Sequence, residues 1–313
     1  FDNPPTLFSG AADGTPLLDI SGRDRLTLVR RLILRLHVPA SAVLASALSN
    51  WDTSGFSSGP VLDRLIVIGS AVPGESYALL LDAHNAGMRI QNTLVAVPGD
   101  GGGVLASFDQ ALHFFPSLSA GPQSPGRLQI QNCTFLCGGQ AAAIWIDICS
   151  EVGEWLRASV EDTVVSGEGS VMVFTSAQGG ASLARCRVAG DVYTSPDGIL
   201  LDDVSFGPVR LNAAGYPATN SPCIDAAGPD APPRDLTGRA RYDHPGVINR
   251  NGSAADIGAI EFAGEAADSD GDSLPDDWET AWFGGLAETG WSDADLDGVP
   301  NALEWLIGSD PRG

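Results

Sequence analysis

The chain contains no lysine. All 17 of its basic residues are arginine, against 39 acidic ones, and the formal net charge is −22. Without lysine there is no Schiff-base chemistry and no P-loop ammonium. Without a basic surplus there is little to attract nucleic acid or an anionic membrane surface, both of which bind through clustered positive charge. The chain has no run of 18 or more apolar residues, so it offers no transmembrane helix. The sequence begins at Phe1 without methionine and reads as a processed or excerpted chain, so the lack of a leader-like stretch excludes nothing. The five cysteines, Cys133, Cys137, Cys149, Cys186 and Cys223, are odd in number, and C-x3-C-x11-C is a poor zinc pattern. Most of them read as small buried hydrophobes.

Helical periodicity is nearly absent as well, while 38 glycines and 21 prolines supply corners and 43% hydrophobic residues supply a core. Over residues 22–212 a short pattern recurs: apolar, any, polar or small, any, any, apolar. It reads as Ile33/Arg35/Val38, Val67/Gly69/Val72, Ile90/Asn92/Val95, Ile130/Asn132/Phe135, Val160/Asp162/Val165, Leu183/Arg185/Val188 and Leu201/Asp203/Phe206. The central residues are 34, 23, 40, 30, 23 and 18 positions apart. A variable repeat of this length predicts a solenoid in which each coil adds a strand to its neighbours' sheets. The insertions, 39–60, 98–126 and 138–154, would project from one edge. A β-sandwich with Greek-key turns is the alternative. Cys133 and Cys186 occupy equivalent repeat positions with Thr163 between them. Two coil steps of about 4.8 Å separate them too far for a disulfide.

The segment Leu128-Gln-Ile-Gln-Asn132-Cys-Thr-Phe135 resembles the strand-and-turn unit of right-handed parallel β-helix proteins. Downstream lie Ser221-Pro-Cys-Ile-Asp225-Ala, Asp235-Leu-Thr-Gly238-Arg239 and Ala255-Asp256-Ile-Gly258-Ala-Ile-Glu261-Phe262. They resemble the closing segment of secreted bacterial β-helix proteins of the choice-of-anchor Q type, with Ala227 where glycine is usual and Gly228 following. The resemblance implies an all-β, right-handed parallel β-helix for the residues before it. Asp225, Asp235, Arg239 and Asp256 are expected to pair with one another as a polar cap at the solenoid's end.

The acidity is concentrated at the C-terminus: residues 264–313 hold 13 of the 39 acidic residues and one of the 17 basic ones. Two twelve-residue loops account for it. One places Asp268, Asp270, Asp272, Leu274, Asp276 and Glu279 at positions 1, 3, 5, 7, 9 and 12; the other places Asp293, Asp295, Asp297, Val299, Asn301 and Glu304 at the same positions. This is the spacing of an EF-hand-like calcium loop, in which position 7 gives a backbone carbonyl and position 12 a bidentate carboxylate. The second loop fits throughout, with Gly298 at the turn. The first has Ser273 there and Gly271 two positions earlier. The pair resembles thrombospondin type 3 and dockerin-like calcium repeats, which implies about two bound Ca²⁺. Short helices are expected over 277–283 and 301–307, with Trp278, Trp282, Trp305 and Leu306 as their shared core.

These readings divide the chain into an N-terminal cap or assembly segment (1–21), a parallel β-helix (22–212), a closing segment (213–263) and tandem calcium loops (264–313). A catalytic site is not evident. The local cluster Asp82, His84, Asn85 and Arg89 reads as a polar turn, as do Glu161-Asp162 and Asp202-Asp203, whose adjacent side chains would point to opposite faces. His37, His113 and His244 are isolated. The expectation is a secreted or cell-surface structural or adhesive protein, stabilised by calcium and able to self-assemble into a homo-oligomer or filament through its β-helix end and N-terminal segment. The alternatives are a carbohydrate-active enzyme (polysaccharide lyase or hydrolase) and a glycan-binding adhesin using Trp51, Phe56, Phe114, Phe115 and Trp145.

Overall fold

The computed structural model describes residues 6–11, 18–19, 28–37, 44–50, 61–70, 75–82, 87–96, 110–115, 127–136, 142–148, 157–176, 180–194, 199–212, 214–262, 268–270, 272, 274–297 and 299–313. Every pairing between its strands is parallel, in a 7-stranded and a 13-stranded sheet, and this is a solenoid-like all-β fold. The smaller sheet stacks Leu28–Arg30, Val61–Asp63, Gly87–Gln91, Arg127–Gln131, Arg157–Glu161, Gly180–Ala184 and Leu200–Asp202 in chain order. The larger has two arms. One runs Thr6–Ala11, Leu32–His37, Ile66–Ser70, Leu94–Ala96 and Thr134–Leu136; the other runs Leu18–Asp19, Leu44–Asn50, Glu75–Asp82, Gln110–Phe115 and Ala142–Ile148. Both arms meet on the 13-residue strand Val164–Ser176, and Arg187–Thr194 and then Ser205–Phe206 follow it.

The two sheets join at one corner, where a single residue per coil turns the chain. Arg31, Arg64, Asn92, Asn132, Asp162, Arg185 and Asp203 all have φ between 47° and 58°. Left-handed backbone is costly for residues with a Cβ, least so for Asn and Asp. Here it is held by a column of hydrogen bonds. Each turn amide donates to the carbonyl before the next coil's turn, as in Asn92 N to Gln131 O (3.1 Å) and Asp162 N to Ala184 O (3.0 Å). The amide two residues later donates back to the preceding coil, as in Thr134 N to Thr93 O (2.9 Å).

The expected repeat is therefore in register from Asn92 onward and is corrected in the first two coils. The turns there are Arg31 and Arg64, not Arg35 and Gly69, which lie inside Leu32–His37 and Ile66–Ser70. The runs Leu32-Ile33-Leu34 and Leu65-Ile66-Val67-Ile68 satisfy the apolar pattern in more than one frame, so the pattern alone could not fix it. Inside, Leu62, Ile90, Ile130, Val160 and Leu183 form one buried column, and Leu34, Val67, Val95, Phe135, Val165 and Val188 another. A third follows the turns: Leu65, Thr93, Cys133, Thr163 and Cys186. Cys133 and Cys186 carry no disulfide, as their spacing requires, and burial pushes both thiols up to about 12.

The closing segment does not cap the solenoid's end. It runs back along the flank, against the outward side of the larger sheet. Val164 packs with Val209, Cys223, Ala226, Ala255 and Ile257. Further along, Ile33, Ile66, Ile68 and Leu94 pack with Ala214, Leu236, Ala259 and Ile260. Polar contacts tie the segment to three residues of the turn column, first on its way out toward the early coils and then on its return. Gly228 N donates to Asp162 Oδ1 (2.8 Å), Asn132 Nδ2 to the Asp256 carbonyl (3.0 Å), and Arg241 to Asn92 Oδ1 (3.1 Å). Gly258, at φ 112°, sits where a Cβ would stand 2.9 Å from Thr134 Oγ1, so only glycine fits this crossing.

Candidate metal centre

Each C-terminal loop ends in a short helix launched by a proline. Pro275 precedes α1 (Asp276–Phe283) and Pro300 precedes α2 (Asn301–Ile307), and neither helix has a side-chain cap. Each helix stops at a glycine with φ 77°, Gly284 and Gly308, where the left-handed conformation is cheap. The launch places position 12 of each loop in the first turn, and Glu279 brings a carboxylate oxygen within 4.8 Å of Asp270 and Asp272.

The two loops share one hydrogen-bond plan. The position-5 amide donates to the position-1 carboxylate: Asp272 N to Asp268 Oδ1 and Asp297 N to Asp293 Oδ1, both 3.2 Å. The position-7 amide donates to the position-5 carboxylate: Leu274 N to Asp272 Oδ1 and Val299 N to Asp297 Oδ1, both 2.8 Å. Ser273 has not altered this plan in the first loop; Ser273, Gly271 and Gly298 themselves lie outside the described residues. Leu296, at φ 62°, takes the left-handed turn in the second.

These bonds gather like charges. Oxygens of Asp268, Asp270 and Asp276, of Asp270, Asp272 and Glu279, and of Asp293, Asp295 and Asp297 lie within 4.8 Å of one another in each group. Several buried acceptors have no donor: both Glu279 carboxylate oxygens, Asp272 Oδ2, Asn301 Oδ1 and Glu304 Oε2. Glu279 is 0% exposed and Glu304 1%. Burial, and then the neighbouring loop carboxylates, push both up to about 7, while Ser309 donates to one Glu304 oxygen (3.0 Å). Asp272 is raised by burial too. Asp276 is held low by Ser269, which donates to it from both its amide and its hydroxyl. Asn301 donates its Nδ2 to Thr289 O (3.1 Å), while its Oδ1 is buried without a donor. An orphaned buried carboxylate is costly, and a hard cation is the partner that an all-oxygen set fits. The acidic clusters can thus hold a metal ion.

The module does not stand on a core of its own. Leu274, Val299, Ala302 and Leu303 belong to the apolar cluster that contains Ile33, Ile66, Ile68 and Leu94 of the solenoid, and Trp278, Trp305, Leu306 and Ile307 pack against it. The sequence reading of a core shared only between the helices is corrected in this respect. Trp282 lies at its edge, against Trp278 (6.3 Å) and under the Arg312 guanidinium (5.6 Å).

Two of the expected pairs, Asp225 with Asp256 and Arg239 with Asp235, form, but through backbone amides rather than between side chains. Backbone amides satisfy the carboxylates: Asp225 N and Phe262 N donate to Asp256, Glu261 N and Arg239 N to Asp235, and His244 N to Asp225. The arginine that enters the network is Arg241, bonded to Glu261 at 2.7 Å, which sequence reasoning passed over. Glu161 and Asp162 also meet rather than diverge, because the left-handed turn at Asp162 swings both onto Arg185 (3.2 and 2.7 Å). His84, Asn85, Trp51, Phe56, Cys137 and Cys149 lie outside the described residues, as do most of the three insertions. Arg89 is exposed and bonded to Gln129. Among the described residues, the three-carboxylate groups lie only in the C-terminal loops, and no helix is long and apolar enough to cross a membrane.

Comparison with known proteins adds no family. No family model matches the chain. No curated protein matches it. No solved structure matches it.

Proposed function

We propose that the chain is an extracellular or cell-surface structural protein: a parallel β-helix whose flank is braced by a calcium-loaded C-terminal module, and which assembles with copies of itself. The observation that carries this is the joint core. The loops supply two all-oxygen ligand sets with orphaned buried carboxylates, and the helices they launch share one apolar cluster with the first coils of the solenoid. An ion in each loop would remove like-charge repulsion beneath that cluster and so tie metal binding to folding. Calcium is the cation of choice for six oxygens at this spacing, and weak loops fill where it is millimolar, outside the cell. The ligands would be Asp268, Asp270, Asp272, the Leu274 carbonyl, Asp276 and Glu279, and Asp293, Asp295, Asp297, the Val299 carbonyl, Asn301 and Glu304. The closing segment's likeness to choice-of-anchor Q proteins supports the same reading.

Titration calorimetry on the full chain tests it. About two calcium ions should bind, and Asp297→Ala should remove one. Absence of calcium-dependent heat at millimolar calcium would end the reading.

A further inference from the structure

Because the closing segment runs along the flank, the last coil is left bare. Leu200 is 76% exposed, Leu201 52% and Phe206 56%, although Leu201 and Phe206 are the final members of two interior columns. Leu201 continues Leu62, Ile90, Ile130, Val160 and Leu183; Phe206 continues Val67, Val95, Phe135, Val165 and Val188. Among the described residues, the strands Leu200–Asp202 and Ser205–Phe206 each have one paired and one open edge. An open parallel edge with apolar side chains is a template for another strand.

We propose that this edge docks the first coil of a second copy of the chain, with the second copy's Leu28–Arg30 pairing parallel to Leu200–Asp202. The inference rests on the self-assembly part of the proposed function and names its surfaces. Register supplies the first argument. Leu28, Val29 and Arg30 hold the positions in the first coil that Leu200, Leu201 and Asp202 hold in the last. Stacking them continues each column with an apolar residue at the Leu200 and Leu201 positions, and Leu28 is 54% exposed.

Charge supplies the second. The last corner is Asp202-Asp203, both exposed, and the first is Arg30-Arg31. The chain already contains this junction: Arg185 sits on the Glu161-Asp162 corner of the coil before it, bonding Asp162 at 2.7 Å and Glu161 at 3.2 Å. Docking places Arg31 on Asp202-Asp203 in the same relation. Among the described residues, Asn251 Nδ2 reaches the Asp203 carboxylate at 3.5 Å, and Arg187 Nη1 donates to the Asp203 backbone carbonyl at 3.3 Å. Two last coils facing each other would instead oppose aspartate to aspartate, so charge selects the head-to-tail arrangement, which does not close and can propagate.

The contact makes one demand. Thr6–Ala11 pairs with Leu32–His37, with Phe8 registered on Leu34, while Phe206 is registered on Val188 in the same column. The neighbour's Ser205–Phe206 therefore takes the place that Thr6–Ala11 holds, and assembly proceeds by exchange of that strand.

Sedimentation velocity of the full chain in calcium, over a range of concentrations, tests the arrangement. Asp203→Arg should weaken association about tenfold or more. Arginine already occupies this turn conformation at Arg31, Arg64 and Arg185, so the variant should keep its unfolding temperature. Arg31→Asp should weaken it similarly, and the double variant should restore it. Association unchanged in either single variant overturns this interface but leaves self-assembly standing. A wild-type chain that stays monomeric at every concentration overturns both.

Discussion

The buried carboxylates of this chain form two populations. Along the flank, Asp162, Asp235, Asp256 and Glu261 are each met by donors from the backbone or from Arg185 and Arg241. In the C-terminal loops, Glu279 and Glu304 are as well shielded and Asp272 is half-buried, yet all three carry enclosed oxygens that nothing donates to. The first arrangement is complete in the protein alone and the second is not. Burial by itself therefore does not set the loop carboxylates apart from those of the flank; burial without donors does.

The sharpest test of the first population is Asp162→Ala. It removes the partner of Arg185 and the acceptor of Gly228 N, where the closing segment meets the turn column. Breaking a buried pair from one side costs about 3–5 kcal/mol. Chemical unfolding should show that loss equally with calcium and with chelator. A loss present only with calcium would mean that the flank depends on the loops.

Glu279→Gln should behave in the opposite way. Without metal it removes one like charge from a crowded loop, so unfolding in chelator should be unchanged or slightly later. With calcium at a hundred times the dissociation constant, one site stabilises by about 2.7 kcal/mol, and that increment should vanish. A large destabilisation in chelator would erase the distinction between the populations.

Much of this division was legible in the sequence, and the reasons differ by region. The loops were readable because their ligands come from one short segment at fixed spacing, so no tertiary information is needed. The turn column was readable at Asn92, Asn132, Asp162, Arg185 and Asp203, and was lost at Arg31 and Arg64, where the adjoining apolar runs fit the pattern in more than one frame. The route of the closing segment was misplaced because a repeat does not say where the chain goes after its last coil. One signal was present: Ile66-Val67-Ile68 is apolar on both sides of the strand, and a strand buried on both faces needs a second layer over it. Arg241 gave no local signal; its side-chain partners, Glu261 and Asn92, lie 20 and 149 residues away.

Asp256 tests whether a donor-saturated carboxylate can still be strained. Burial, and then Glu261, push it up to about 8, while the Phe262 and Asp225 amides pull it down. Asp225 and Asp235 are the other acids of this network, and Arg241 and His244 face it as bases. A folded-state value above the ordinary 3.8 means that the folded state holds the proton more tightly. The corresponding stability is complete below about pH 4 and is lost as pH rises through 8. Thermal unfolding between pH 6 and 9 should therefore fall with pH, and Asp256→Asn should flatten that slope. An equally steep slope in the variant would assign it to another group.

The smallest effect concerns the column beside the turns. Thr93 and Thr163 donate their hydroxyls to the carbonyls two residues before them (3.0 and 2.8 Å), and Cys133 and Cys186 direct their sulfurs at the matching carbonyls (3.3 and 3.4 Å). Threonine and cysteine are close in volume, and each is here a small group that donates to a buried carbonyl. Cys186→Thr should consequently cost no more than about 1 kcal/mol, because it replaces a weak donor with a stronger one in a site that the same column already builds from threonine. Cys186→Val keeps the shape but removes the donor, so it should cost more than the threonine variant. Urea unfolding of the two side by side reads the difference. If valine proves the better substitute, the column is held by packing alone, and donor satisfaction ceases to be what separates the flank from the loops.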